Sequence, residues 1–223
     1  MASDALSILL AYVTGSLPFA ARITRWRAGR RVREVGIGNA GARNVWHVVG
    51  PWWGFLVAVM DVAKGSAAVL ISRALGVSPI VQLLAGPAAI VGHCFPLFER
   101  FQGGKGLATA YGVLLAWMPL PTLASMVTFA LAQLLVRNMD RSVVVGAATA
   151  IFLPPVFGYS WAMALYALAL FLMLAARSLQ DRAHERQVWA SSGWENVGSH
   201  DWYGASDAVV QPRSGSPDPG ARE

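Results

Sequence analysis

Residues 92–109, GHCFPLFERFQGGKGLAT, bring His93, Arg100 and Lys105 together with a run of glycines between two apolar stretches. Gly103, Gly104 and Gly106 carry no Cβ to keep their N–H groups from turning toward one point, and Lys105 sets a full positive charge there. The sequence that follows reads as a helix, which would place the glycines at a helix N-terminus, where the dipole and the unpaired N–H groups favour an anion. The chemistry expected of this stretch is therefore phosphate binding, with Lys105 and the N–H groups of Gly103, Gly104 and Gly106 as the holding groups.

A second polar island lies at residues 29–44, GRRVREVGIGNAGARN. Gly36, Gly38 and Gly41 satisfy G-x-G-x-x-G in letters, but no βαβ unit surrounds them and no acidic ribose partner follows, so a dinucleotide site is not implied. Closely spaced glycines let a backbone approach a ligand, and Asn39 and Asn44 can donate to or accept from sugar or glycerol hydroxyls. A glycine-rich turn that packs under the rest of the fold is the equal alternative. Asp61 and Lys64, three apart in an otherwise apolar run, share a helix face and read as a structural ion pair, with direct substrate contact the alternative. His93 reads as a hydrogen-bonded helix-end residue that could brace the glycines. No Cys/His set has metal-ligand spacing, and no nucleophile elbow is present.

The elements that position these residues are set by composition. Of 223 residues 55% are hydrophobic and 13% charged, with a mean hydropathy of +0.47; a surplus of this size faces lipid. The fold class expected is all-α: a polytopic membrane helix bundle of about seven transmembrane helices, from apolar runs near 4–22, 51–75, 79–97, 106–118, 120–136, 142–157 and 160–177, with glycine-rich loops on the cytoplasmic face. Pro119 and Pro121 leave open whether two of these runs are one helix. The opening segment lacks a basic n-region and a small-residue cleavage site, so it reads as a retained span.

Seven spans sort the basic residues. Arg22, Arg25, Arg27, Arg30, Arg31 and Arg33 fall on one side with Arg100, Lys105, Arg137, Arg141, Arg177, Arg182 and Arg186, and Arg73 alone falls on the other. The positive-inside rule then puts the N-terminus outside, the C-terminus in the cytoplasm, and both polar islands on the cytoplasmic face. The net charge of +6 is read as this topology signal rather than as a nucleic-acid footprint. Residues 1–190 are expected to form the membrane-embedded domain and 191–223, rich in Gly, Ser and Pro, a flexible cytoplasmic tail.

Taken together, these segments resemble the bacterial acyl-phosphate:glycerol-3-phosphate acyltransferases of the PlsY type. Gly15-Ser16-Leu17-Pro18-Phe19 is similar to the family's G-S-x-P-F, residues 32–44 (VREVGIGNAGARN) to its I-R-E-x-G-S-G-N-x-G-A-T-N, and Asp61-Val62-Ala63-Lys64-Gly65 follows at the expected distance. Gly92-His93-Cys94-Phe95-Pro96 then leads into FQGGKGLAT at 101–109. The resemblance covers roughly residues 10–190. It implies a membrane-embedded enzyme that moves a fatty acyl group from acyl phosphate to glycerol 3-phosphate, giving lysophosphatidic acid in the bacterial plasma membrane, without metal, bound cofactor or covalent acyl-enzyme. It implies catalytic roles for Lys105, His184 and Gln187, phosphate binding at Gly103, Gly104 and Gly106, and substrate contacts by Ser16, Asn39, Arg43, Asn44 and His47.

The departures from the family pattern fall mainly on the acceptor side. Ile37 stands where the family has serine, Arg43 where it has threonine, and His47 where it has arginine. Arg43 and His47, four apart in a helix, share a face, so the guanidinium could reach the same phosphate from one turn away. The family's H-R-E-N-I is matched by His184-Glu185-Arg186-Gln187-Val188, with Gln187 a methylene longer than the asparagine it replaces. The alternatives weighed against acyl transfer are a divergent paralogue with lost or altered catalysis that binds phosphorylated lipid or a partner, and an anion or headgroup transporter.

Overall fold

The structure is a computed structural model, and it describes residues 2–192. Among the described residues nine α-helices follow one another: α1 (Ala2–Gly15), α2 (Phe19–Ala28), α3 (Ala42–Val48), α4 (Pro51–Ala74), α5 (Pro79–Cys94), α6 (Leu107–Trp117), α7 (Pro119–Val136), α8 (Met139–Phe152) and α9 (Trp161–Ser192). Among the described residues there is no strand. Prolines open α4, α5 and α7, where the missing N–H would have no partner and the fixed φ suits a first turn. The Asn138 side chain caps α8 by accepting the Arg141 N–H at 3.1 Å. The expected tail, residues 191–223, lies outside the described residues apart from the last turn of α9.

Each of the seven expected apolar runs corresponds to a helix, with the first divided between α1 and α2. Five segments are long and apolar enough to cross a membrane: 2–28, 51–74, 79–99, 119–136 and 161–191. The count of seven spans is thus finer than length and composition alone support. The proline question resolves as two helices. Met118, fully buried and outside the helical region at φ −144°, ψ 76°, separates α6 from α7, since the proline that follows disfavours the α conformation there.

α6 is the centre of the bundle. Thr109 through Leu114 are all buried, and Val113, Leu114 and Ala110 join Val69 of α4, Ile90 of α5 and Ala167, Leu170 and Phe171 of α9 in the main core. A helix apolar all round has no solvent face to offer and is enclosed by its neighbours. At 11 residues it is about 16 Å long, about half a hydrocarbon core. Close helix contacts are made by small residues. Gly65 of α4 lies against the Thr109 carbonyl and Gly112 of α6 against the Val62 carbonyl, while Gly15 of α1 meets Ala89 of α5, leaving no room for a Cβ at any of them.

Candidate functional site

Residues 29–44 are organised by one side chain. Asn44, fully buried, accepts the Ile37 N–H at 2.9 Å and donates to the carbonyls of Val32 at 2.6 Å and Val35 at 3.1 Å. The amide of Asn44, an expected substrate contact, is therefore occupied within the loop, whose shape it sets. Gly36 and Gly38 turn through left-handed φ values of 59° and 71°, and Gly38 lies under Val188 of α9. Asn39 stays half-buried with its Oδ1 enclosed and without a hydrogen-bond partner.

On α3, Arg43 and His47 sit one turn apart as expected. Burial draws the Arg43 guanidinium below its ordinary range, and the Asp140 and Glu185 carboxylates oppose that. Burial, and then the Arg43 charge, bring His47 down from 6.5 to about 4. His47 is neutral at physiological pH, so it does not reproduce the permanent charge of the arginine that the family carries there.

Residues 95–106 fold back along the end of α5. The Gly103 N–H donates to the Cys94 carbonyl at 3.1 Å and the Gly104 N–H to the His93 carbonyl at 3.2 Å. Arg100 and Phe101 make the reversal, both in the left-handed region at φ 53° and 60°. Gly103 and Gly104 are two of the residues expected to cradle phosphate. Their N–H groups are bonded inside the protein, and they are glycines because a Cβ at either would strike His93. Gly106 alone has the expected place, capping α6 at φ 88°, with the unpaired first-turn N–H groups of that helix beyond it.

The last helix closes the site. Arg177, Asp181, His184, Glu185 and Val188 lie on one face of α9, and that face meets both islands. Arg33 grips Asp181 with two hydrogen bonds, 2.7 and 3.0 Å, and donates to the Gly103 carbonyl at 2.6 Å. Arg177 reaches Asp181 at 3.3 Å and the Gly104 carbonyl at 3.3 Å. A ring nitrogen of His184 lies 3.1 Å from the Arg33 carbonyl. Lys105 pairs with both oxygens of Glu185, at 2.9 and 3.0 Å. Gln187, expected to be catalytic, is exposed, about a quarter turn of helix round from Val188.

A third cluster lies beneath, at the level where α4, α5 and α6 cross. Lys64 pairs with Asp61 at 2.8 Å, both nearly fully enclosed, and donates to the Leu17 carbonyl at 3.1 Å. His93 Nδ1 stands 3.1 Å from the Thr109 hydroxyl and 3.7 Å from Asp61. The expected ion pair exists, and what it ties together is the break after α1 and the end of α5. Ser16 is fully buried and its hydroxyl donates to the Tyr12 carbonyl at 2.8 Å. That bond turns the hydroxyl of Ser16, an expected substrate contact, inward toward α1. A narrow cleft of about 20 Å³ remains between Leu17, Pro18, Ala40, Lys64, His93 and Gly103.

Sequence reasoning missed Arg33, Arg177 and Asp181 as organisers and Glu185 as the lysine's partner. A signal was present: 177, 181 and 185 are spaced by four at the end of the last apolar run, which marks a charged stripe on one helix face.

The geometry defines a helical membrane protein whose polar segments, distant in sequence, converge on one end of the bundle around a lysine at a helix N-terminus. The model of the glycerol-3-phosphate acyltransferase family matches residues 5–185, and the chain belongs to that family. It is 39% identical over 171 residues to the glycerol-3-phosphate acyltransferase of Desulforudis audaxviator, covering 77% of this chain and 85% of that one. It is 42% identical over 147 residues to the enzyme of that name from Listeria monocytogenes, covering 65% and 74%. Among solved structures it is similar to PlsY (YgiH), an integral membrane glycerol 3-phosphate acyltransferase, in its glycerol 3-phosphate form. That similarity has a TM-score of 0.75 and 28% identity over 94% of this chain and 100% of that one. The lysophosphatidic acid form of the same protein gives 0.71 and 26%.

Proposed function

We propose that the protein transfers a fatty acyl group from acyl phosphate to the hydroxyl of glycerol 3-phosphate at the end of the bundle where residues 29–44, residues 95–106 and α9 meet. The observation that carries this reading is Lys105, directly before the capping glycine of α6 and in reach of the face of α9 that holds His184 and Glu185. The glycerol oxygen attacks the acyl carbonyl carbon, the bond from that carbon to the phosphate oxygen breaks, and phosphate leaves with the hydroxyl proton. Lys105, with the first-turn N–H groups from Gly106 onward, offsets the charge that builds on the leaving phosphate. Arg43 serves the acceptor's phosphate, and Asn39, with its enclosed oxygen unpartnered, takes a glycerol hydroxyl. The acyl chain stays in lipid, and two anionic substrates held side by side supply much of the rate.

The site faces the cytoplasm of a bacterial plasma membrane, with the N-terminus outside and seven spans in all. Single cysteines placed near each terminus test this: the C-terminal one should react with an impermeant maleimide only after the cells are opened, and the reverse pattern overturns the topology.

Purified protein given acyl phosphate and glycerol 3-phosphate should release lysophosphatidic acid and phosphate in equal amounts, and Lys105→Ala should slow this about 10²-fold or more. Equal turnover when an acyl thioester replaces acyl phosphate would overturn the donor assignment.

A further inference from the structure

Two carboxylates stand one turn apart on α9, and their surroundings differ. Asp181 is held by two guanidiniums, Arg33 at 2.7 Å and Arg177 at 3.3 Å, in a fixed knot that also pins the Gly103 and Gly104 carbonyls. Glu185 has one direct ionic partner, the ammonium of Lys105 at 2.9 Å, a compact charge on a flexible stem. Arg43 is the second cation whose charge acts on Glu185. The Nε of Arg43 is enclosed without a hydrogen-bond partner, as is Asn39 Oδ1. An enclosed carboxylate that holds the site's lysine with both oxygens, and on which a second cation's charge also acts, is the arrangement of an anion site filled by the protein's own anion.

We infer that Glu185 is the internal counter-anion of the phosphate site: it holds Lys105 while no phosphate is bound, yields it to substrate phosphate, and reclaims it as product phosphate leaves. This rests on the reading of Lys105 as the phosphate-binding cation. Without Glu185 the lysine would be left half-buried and unpaired in the empty site, a costly state. With it, every phosphate that binds competes against a tethered rival at an effective concentration of roughly mM or higher. Glu185 is thus a positioning residue, acting through Lys105, that trades phosphate affinity for product release. The resemblance motif places glutamate two residues after its histidine, whereas here Glu185 follows His184 directly, so the device belongs to this chain's own register.

The experiment uses full-length protein in lipid nanodiscs and inorganic phosphate as the probe, with binding measured by calorimetry alongside steady-state kinetics. Glu185→Gln should bind phosphate about tenfold more tightly than the wild type, with a lower KM for acyl phosphate and a lower kcat as release slows. A merely structural lesion would weaken binding instead. Glu185→Asp, which draws the carboxylate back by a methylene, should show a smaller gain and carries the test if the glutamine variant does not fold. Unchanged or weaker phosphate binding in the folded variant overturns the inference. Lys105→Ala separates the two levels. If it binds phosphate as the wild type does, the reading of Lys105 fails and the inference with it; if it loses phosphate while Glu185→Gln gains nothing, the inference alone fails.

Discussion

Arg33 and Asp181, 148 residues apart in sequence, meet through two hydrogen bonds of 2.7 and 3.0 Å, with side chains only 13% and 4% exposed. This fork joins the first polar loop to the last helix, and because Arg33 also donates to the Gly103 carbonyl, it sets the second loop at the same time. Removing one member of an enclosed pair leaves the other charge uncompensated, at a cost of about 3–5 kcal/mol. Asp181→Ala, which strands Arg33 and Arg177 together, should lower the thermal midpoint in detergent sharply and abolish turnover. Arg33→Lys keeps the charge but loses the fork, so it should fall between Asp181→Ala and wild type in both stability and rate. A lysine variant as stable and active as the wild type would show that the bidentate geometry is dispensable.

Asn44 makes a different prediction from the one its motif position invites. Its amide closes the loop from inside, with three hydrogen bonds to backbone groups. Asn44→Ala should orphan those groups, each worth about 1–3 kcal/mol when enclosed, and destabilise the protein before any effect on substrate affinity is seen. Asn44→Asp should be worse still, since a carboxylate would face the Val32 and Val35 carbonyls where the amide now donates. Thermal midpoints that rank Asp below Ala, and Ala below wild type, check this. A folded, stable Asn44→Ala with a raised KM for glycerol 3-phosphate alone would return Asn44 to the substrate.

Much of the fold was legible because lipid imposes long apolar runs. The helices appear where those runs lie, and the Asp61–Lys64 pair was readable because three residues of helix fix two side chains on one face. What was not legible is which polar atoms the protein itself consumes. A glycine-rich run with a lysine looks the same in sequence whether its N–H groups face a ligand or, as at Gly103 and Gly104, the carbonyls at the end of α5. An asparagine looks the same whether it binds glycerol or, like Asn44, its own loop. The partners that decide this are backbone groups that only the folded chain brings into reach, and no local pattern in residues 29–44 or 92–109 names Asp181 or Glu185, the α9 carboxylates that take Arg33 and Lys105.

His47 ties stability to pH. Its folded pKa lies at about 4 against an ordinary 6.5, through burial and the Arg43 charge. Between those values the unfolded chain binds a proton that the folded protein excludes, so stability contributed by the neutral ring is full above 6.5 and is lost as pH falls toward 4. The thermal midpoint should therefore drop on acidification through this window, and His47→Gln should flatten the drop. Parallel pH profiles for the two proteins would rule out His47 as the titrating group.

Glycines in the two islands should respond to alanine in two distinct ways. Gly29 caps α2 at φ 63° with nothing within 4 Å of a would-be Cβ. Gly29→Ala should cost about 1–2 kcal/mol of backbone strain and leave turnover close to normal. At Gly104 a Cβ would strike His93 Nε2 and lie 2.7 Å from the Ala40 carbonyl, so the loop holding Asn39 and the segment holding Lys105 must move apart. Because the cation and the acceptor side then lose their register, Gly104→Ala should lose activity well beyond its loss of stability, and displacement of about 1 Å suffices for about 10²-fold in rate. Turnover measured well below each variant's thermal midpoint separates the two cases. Equal rates for Gly29→Ala and Gly104→Ala would mean that the approach of the two islands at Gly104 does not set the geometry of the reaction.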